Sequence, residues 1–288
     1  MIAKVDILDM GGEMHSSLDS DKESLPDVTI FIASINTASA TELCIRSIDR
    51  HTQRGAYTLC VGDCGSTDAS LPRLMKLLHD DFIDDVMLAP RGRSHGSWLD
   101  LWTSTCVTRF AVMIDSDVEI LQPHWLDTLL ETARLSDAAI VCAEVVDEVP
   151  NYVDHTGVAR RLARRPSAWM MLLDVPKCRG GASWQFAMED DPTIPEKQWG
   201  LDTGARLMRE LNSAGERVVV APREFQNCFR HFGGLSWVKR TRSKGWKYRA
   251  SLLKVRALSL YVSARLFRLK SLGYSNILRG GARQASRG

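Results

Sequence analysis

Short runs of β-branched and aliphatic residues alternate with helix-patterned stretches along most of the chain, and this alternation restricts the fold more than any single motif. Residues 28–35 (VTIFIASI), 56–61, 110–114 (FAVMI), 138–145 and 218–220 read as strands, several apolar on both faces. Between them, residues 41–50, 70–79 and 98–108 carry the spacing of helices, and Asp202 can cap a helix running to residue 214. Strands apolar on both faces must be covered twice, so the pattern predicts an α/β fold with a doubly wound, mostly parallel sheet. In such sheets ligands sit beyond the carboxyl ends of the strands, so residues just after a strand are the ones to read for chemistry.

Two strand ends carry acids. Residues 61–68 (VGDCGSTD) end a strand in Asp63 and turn into a helix that Ser66 or Asp68 can cap; an Asp there can accept a hydrogen bond from a nucleobase imide N–H. The plainer alternative is a turn with a cap. Asp115-Ser116-Asp117 follows FAVMI directly, and carboxylates two residues apart in extended chain point the same way. Two converging hard oxygens suit Mg²⁺ or Mn²⁺, which can bridge a diphosphate and offset the charge of a departing phosphate group.

In order and spacing these motifs resemble glycosyltransferase family 2, whose members have the GT-A fold. The resembling segments are VTIFIASIN, the D-x-G-S-T-D turn at residues 63–68, the Asp115-Ser116-Asp117 motif, Trp199-Gly200-Leu201-Asp202 and His231-Phe232-Gly233-Gly234, over residues 27–237. The resemblance implies a metal-dependent transferase that moves a sugar from a nucleotide-sugar donor, most commonly a UDP-sugar, to a hydroxyl of a glycan or lipid-linked acceptor with inversion. It implies that Ala33, Ser34 and Asp63 hold the nucleoside, that Asp115 and Ser116 lie near ribose and metal, and that Asp117, Asp115 and His231 bind Mn²⁺ or Mg²⁺. Cys64 stands where the family carries a second acid, and Leu201 where it carries a Glu.

The remaining site residues are open between roles. Arg91 and Arg93, in the loop at residues 89–96, suit a diphosphate or a solvated surface. An inverting transfer needs a carboxylate to take the acceptor proton. Asp202 fits that place, with Glu189, Asp190 and Asp191 as alternatives and a helix cap as its plainer role. Trp184 and Trp199 could stack on acceptor sugar rings or fill a core.

Charge divides the chain. No acid follows Glu224, so residues 225–288 hold 15 Lys and Arg against none, while residues 1–224 hold 22 against 35 acids, a formal −13. Three segments are expected: a flexible 1–26, a catalytic domain over 27–237, and a basic helical extension over 238–288. In the extension, apolar and cationic residues alternate with amphipathic helical spacing, which suits either an anionic membrane surface or packing on the acidic body. The polar N-terminus has no signal-peptide core, no 18-residue apolar span occurs, and the seven Cys are scattered, so a cytoplasmic protein, peripheral on the inner face of the membrane, is expected. Two other classes fit less well. A sugar-phosphate nucleotidyltransferase would open with a Gly-rich phosphate loop, which residues 33–40 lack. A nucleic-acid-binding protein would not need the strand-end acids.

Overall fold

The computed structural model describes residues 27–88, 95–153, 159–180, 189–190, 199–201, 203–235 and 246–271. Its centre is a seven-stranded sheet built from β1 (Val28–Ser34), β2 (Thr58–Asp63), β3 (Asp85–Leu88), β4 (Phe110–Asp115), β6 (Ala138–Cys142), β11 (Met170–Asp174) and β14 (Arg217–Val220). The order is β14-β6-β11-β4-β1-β2-β3, and every pairing is parallel except the two that β11 makes with β4 and β6. The sheet is therefore mixed α/β and mostly parallel, as the alternation predicts.

Period-two alternation along β1 explains why both faces are covered. Ile30 and Ile32 point into a core with Cys44, Ile45 and Ile48 of α1 (Ala38–His51), Leu74 and Leu77 of α2 (Ser70–His79), and Trp125 and Leu129 of α4 (Trp125–Ser136). Phe31 points the other way. It meets Trp98 and Trp102 of α3 (His95–Thr105), and the same core takes in Cys178 of α5 (Val175–Arg179) and Leu207 and Leu211 of α6 (Ala205–Ser213). Gly62 is required where β2 passes these indoles, because a Cβ there would lie 2.6 Å from the fully buried Trp102 ring.

The smaller strands fall outside this sheet. β5 (Val118–Ile120) pairs antiparallel with β15 (Phe229–His231), and β7 (Val145–Val146) pairs with β10 (Arg165–Pro166). A four-stranded sheet runs β12 (Glu189–Asp190), β13 (Trp199–Leu201), β9 (Ala159–Leu162), β8 (Val149–Val153).

Several elements depart from the sequence reading. The apolar run 138–145 divides into β6 and β7. The helix expected over 98–108 begins earlier, at His95. Gly204, in the left-handed region at φ 85°, is the N-cap residue of α6.

Within the basic extension the described residues, 246–271, form the helix α7 (Trp246–Ser271), which packs on the body. Val255, Val262 and Leu266 share a core with Ala40 and Leu43 of α1 and with Leu235. Sandwiched between sheet and α7, α1 is buried over residues 40–49, including the charged Glu42, Arg46 and Asp49. Burial of Glu42 is made tolerable by cations: Arg46 Nε at 2.9 Å, Arg73 Nη1 at 3.4 Å and Lys270 Nζ at 2.6 Å. Glu119 on β5 is held likewise, with Arg265 Nη2 at 2.6 Å and Arg230 Nη1 at 3.7 Å. No disulfide joins the seven cysteines, and no helix among the described residues is long and apolar enough to cross a membrane.

Candidate functional site

Strand register brings the acids to one level. Ala33 stands opposite Asp115 on β4, and the next residue, Ser34, opposite Asp63 on β2. Three adjacent parallel strands therefore end side by side, at the edge where an open α/β sheet offers a crevice.

Asp63 is buried at 4% exposure. Its Oδ2 accepts the backbone N–H groups of Gly65 (3.1 Å) and Ser66 (2.9 Å), which hold the turn. Its Oδ1 is buried without a hydrogen-bond partner among the described residues. A buried carboxylate oxygen without a donor is costly unless a ligand supplies one. The rest of the turn is pinned from β1: Asn36, in the left-handed region, donates its N–H to Ser66 Oγ (2.9 Å) and accepts from Thr67 N–H (2.7 Å). Asp68 Oδ1 accepts from Ser70 N–H (2.9 Å) at the start of α2.

Under the site lies a chain of hydroxyls. Ser34 Oγ meets Thr41 Oγ1 at 2.9 Å, Thr41 meets Thr37 at 3.1 Å, and Thr37 meets Ser116 Oγ at 2.9 Å. The Ser34 side chain is fully buried and hydrogen-bonded beneath the strand end; Ala33 is partly exposed. Ser116 is bound into the same brace.

Asp115, Asp117 and His231 converge. One ligand atom from each lies within 4.8 Å of the others. The approach of His231 follows from the β5–β15 pairing, which sets it opposite Val118, one residue beyond Asp117. Its Nε2 is 3.3 Å from Asp117 Oδ1, and the indole of Trp169 stacks on its imidazole with centroids 4.6 Å apart. Trp169 is itself fixed, its carbonyl accepting from Asp115 N–H (2.9 Å) and its Nε1 donating to Glu144 Oε1 (3.1 Å). A second imidazole, His95 at the start of α3, has Nε2 3.3 Å from Asp115 Oδ1. Sequence reading passed over His95, Trp169 and Glu144. His95 lies in the segment at residues 89–96 that also holds Arg91 and Arg93, and that proximity was the signal available for it.

Electrostatics mark the cluster as strained. Burial, above all, raises the Asp115 carboxyl above its ordinary pKa; His95 pulls it back and Asp117 pushes it further up. Burial opposes the charged form of His231, yet its hydrogen bond to Asp117, with the charges of Asp117, Asp115 and Glu144, outweighs this and holds its pKa above the ordinary value. Among the described residues no Lys or Arg pairs with Asp63, Asp115 or Asp117. Two carboxylates and an imidazole this close form a donor set that fits Mn²⁺ or Mg²⁺.

The structure brings together Ala33, Ser34, Asp63, Asp115, Ser116, Asp117 and His231. Asp202, Asp191, Arg91, Arg93 and Trp184 lie outside the described residues. Glu189, Asp190 and Trp199 are described only as backbone, in the paired strands β12 and β13.

No protein-family profile and no curated protein matches this sequence. Among solved structures, a mannosyltransferase from Pyrobaculum calidifontis in complex with GDP-Man and Mn²⁺ superposes over 86% of this chain and 74% of its own, at 14% identity and TM-score 0.48. Glucosyl-3-phosphoglycerate synthase from Mycobacterium tuberculosis, in complex with phosphoglyceric acid, covers 88% and 83% at 15% identity and TM-score 0.45. TarS from S. aureus with UDP-GlcNAc matches 59% of this chain and about half of its own, 51%, at 11% identity and TM-score 0.42.

Proposed function

We infer that the chain is a metal-dependent glycosyltransferase of GT-A type that takes a sugar from a nucleotide-sugar donor to a hydroxyl of a glycan or lipid-linked acceptor, with inversion. The observation that carries this reading is a set of strand-end carboxylates with no Lys or Arg partner among the described residues: buried Asp63 with an unpartnered oxygen, buried Asp117 beside His231, and half-buried Asp115 beside His95. Elsewhere in the same molecule the buried Glu42, Glu119 and Asp174 each hold Arg or Lys. Buried anions without partners are kept where a ligand or metal completes them.

Asp63 Oδ1 is suited to accept from a nucleobase N–H, with Ala33 beside it and Arg91 and Arg93 as diphosphate contacts. Asp117, Asp115 and His231 would hold Mn²⁺ or Mg²⁺, which when bound offsets the charge that collects on the departing nucleoside diphosphate. Trp169 and the hydroxyl chain through Ser116 keep these side chains in place, so little reorganisation is needed as charge develops. Asp202 is the proposed base, with Glu189, Asp190 and Asp191 as alternatives. It would take the acceptor hydroxyl proton as that oxygen bonds to the anomeric carbon and the bond to the nucleoside diphosphate breaks. Trp184 and Trp199 are proposed for the acceptor side.

Calorimetric titration of UDP, GDP and dTDP into the full chain, with and without Mn²⁺, tests this. One nucleotide is expected to bind only with Mn²⁺ present, and to lose that binding in Asp117→Asn. Failure of all three to bind in either condition would overturn the reading.

A further inference from the structure

Helix α7 is apolar on two opposite sides. At about 100° per residue, Val255, Leu258, Val262, Leu266 and Leu269 fall on one side, which packs against α1. Leu253, Ala257, Leu260, Ala264 and Phe267, spaced four and three apart, form a second stripe on the opposite side, and it faces solvent. Leu253 is 64% exposed, and Leu260 and Phe267 are each 73% exposed. Of the nine large apolar side chains exposed among the described residues, four are on this helix, the fourth being Tyr261 beside the stripe. Isolated exposed apolar residues need no explanation, but a continuous stripe along one helix does.

The border of the stripe is cationic on both sides. By the same rotation of about 100° per residue, Lys254 and Arg268 flank it on one side and Arg256 on the other, all exposed. Beyond Arg268 the cationic border reaches the body, where Arg50 of α1 faces the same recess as Arg268. The helix itself carries no acid, since the chain has none after Glu224, and the one acid that also lines that recess, Glu119, is paired with Arg265. The acids that meet α7 lie on its packed side: Glu42 and Glu119 are engaged by Lys270 and Arg265, and Asp68 borders the recess lined by Ser259, Val262 and Ser263.

We propose that the outer stripe of α7 is a docking surface for an anionic lipid bilayer: Leu253, Leu260 and Phe267 enter the interface while Lys254, Arg256 and Arg268 meet the headgroup phosphates. A surface helix of this kind needs apolar residues flanked by cations and free of acids, and that is its pattern. A second copy of this helix is disfavoured as the occupant, because it would set the same three cations against each other with no acid on either helix to pair them. The docked helix would also hold the strand-end site in a fixed relation to the bilayer. Arg230 donates to the Tyr261 hydroxyl (2.6 Å), Tyr261 packs on Phe232, and Arg265 grips Glu119, so both strands of the β5–β15 pair that carries His231 are tied to α7.

Co-sedimentation of the full chain with vesicles of phosphatidylcholine alone, or with about a third phosphatidylglycerol, tests the proposal. Wild type is expected on the anionic vesicles, with binding that weakens as salt rises, and not on the neutral ones. The double variant Leu260→Ser, Phe267→Ser, exposed and hence neutral to folding, should lose about tenfold or more in affinity. Lys254→Gln, Arg256→Gln and Arg268→Gln should cost about fivefold per cation. A thermal melt of each variant separates lost docking from lost folding. No binding to anionic vesicles at low salt, or binding that neither variant set changes, would overturn the proposal. So would a wild-type dimer that the Leu260, Phe267 variant splits without any vesicle binding, which would assign the stripe to a second copy.

Discussion

Two groups of acids are treated in opposite ways. Beside α7, Glu42 and Glu119 are each surrounded by cations, most of them from other elements, so burial there ends in neutralised pairs that fasten the helix to the body. At the strand ends, Asp63 is held by the backbone N–H groups of Gly65 and Ser66, and Asp115 and Asp117 lie beside His95 and His231, yet none of the three receives a Lys or Arg from the described residues. The first group stabilises the fold and the second costs it, and a buried charge that costs stability is the feature to expect where a ligand completes the site.

Substitution should separate the groups. The largest effect on stability is expected from Arg265→Ala, which leaves Glu119 buried with only the longer contact to Arg230. Because Arg265 itself is part-exposed, the loss should be about 2–3 kcal/mol, below that of a fully buried pair, read as a lower urea midpoint with nucleotide affinity retained once folded. Asp115→Asn should do the reverse. A folded-state pKa above the ordinary value means that ionising Asp115 at neutral pH opposes folding, so the neutral isostere should gain about 1 kcal/mol without metal while metal-dependent binding is lost. If Asp115→Asn destabilised the chain as Arg265→Ala does, the distinction between the two groups would fail.

The smallest effect concerns pH. Burial alone would raise the Glu42 pKa, but Lys270 and Arg46 overcome it and hold it below its ordinary value of 4.5. A depressed carboxylate pKa contributes stability that is full above the unfolded value and disappears as pH falls through the folded one. Acid titration of the wild type should therefore show a loss of stability beginning near pH 4.5 and continuing below it. The variant Glu42→Gln should flatten that part of the curve.

How much of this was legible in the sequence follows from the same contrast. The strand-end acids were readable because Asp63 and Asp115 each close an apolar run, and a turn follows Asp63, signals that are local in the chain. The α7 contacts were not, because the partners of Glu42 and Glu119 are distant: Lys270 comes from the far end, and Arg265 is separated from Glu119 by 146 residues. The amphipathic spacing announced a helix over this region but not its two apolar sides, since only packing against α1 reveals which side remains outside. Strand β11 was missed. Its five residues, MMLLD, form a short apolar run buried on both faces, without a period to separate strand from helix, and it enters the sheet antiparallel between two parallel neighbours. His231 was reachable only through the family resemblance. The register of β15 on β5 supplies its physical reason, and His95 and Trp169 join the site through contacts that no spacing in the chain encodes.

The central claim is that Asp115, Asp117 and His231 form one metal site serving a bound nucleotide. Electron paramagnetic resonance of Mn²⁺, titrated with the full chain in the presence of the nucleotide that binds, measures this most directly. The account predicts one tightly held Mn²⁺ per chain, weakened about tenfold or more in both Asp117→Asn and His231→Ala. Mn²⁺ binding of equal strength in wild type and both variants would contradict it.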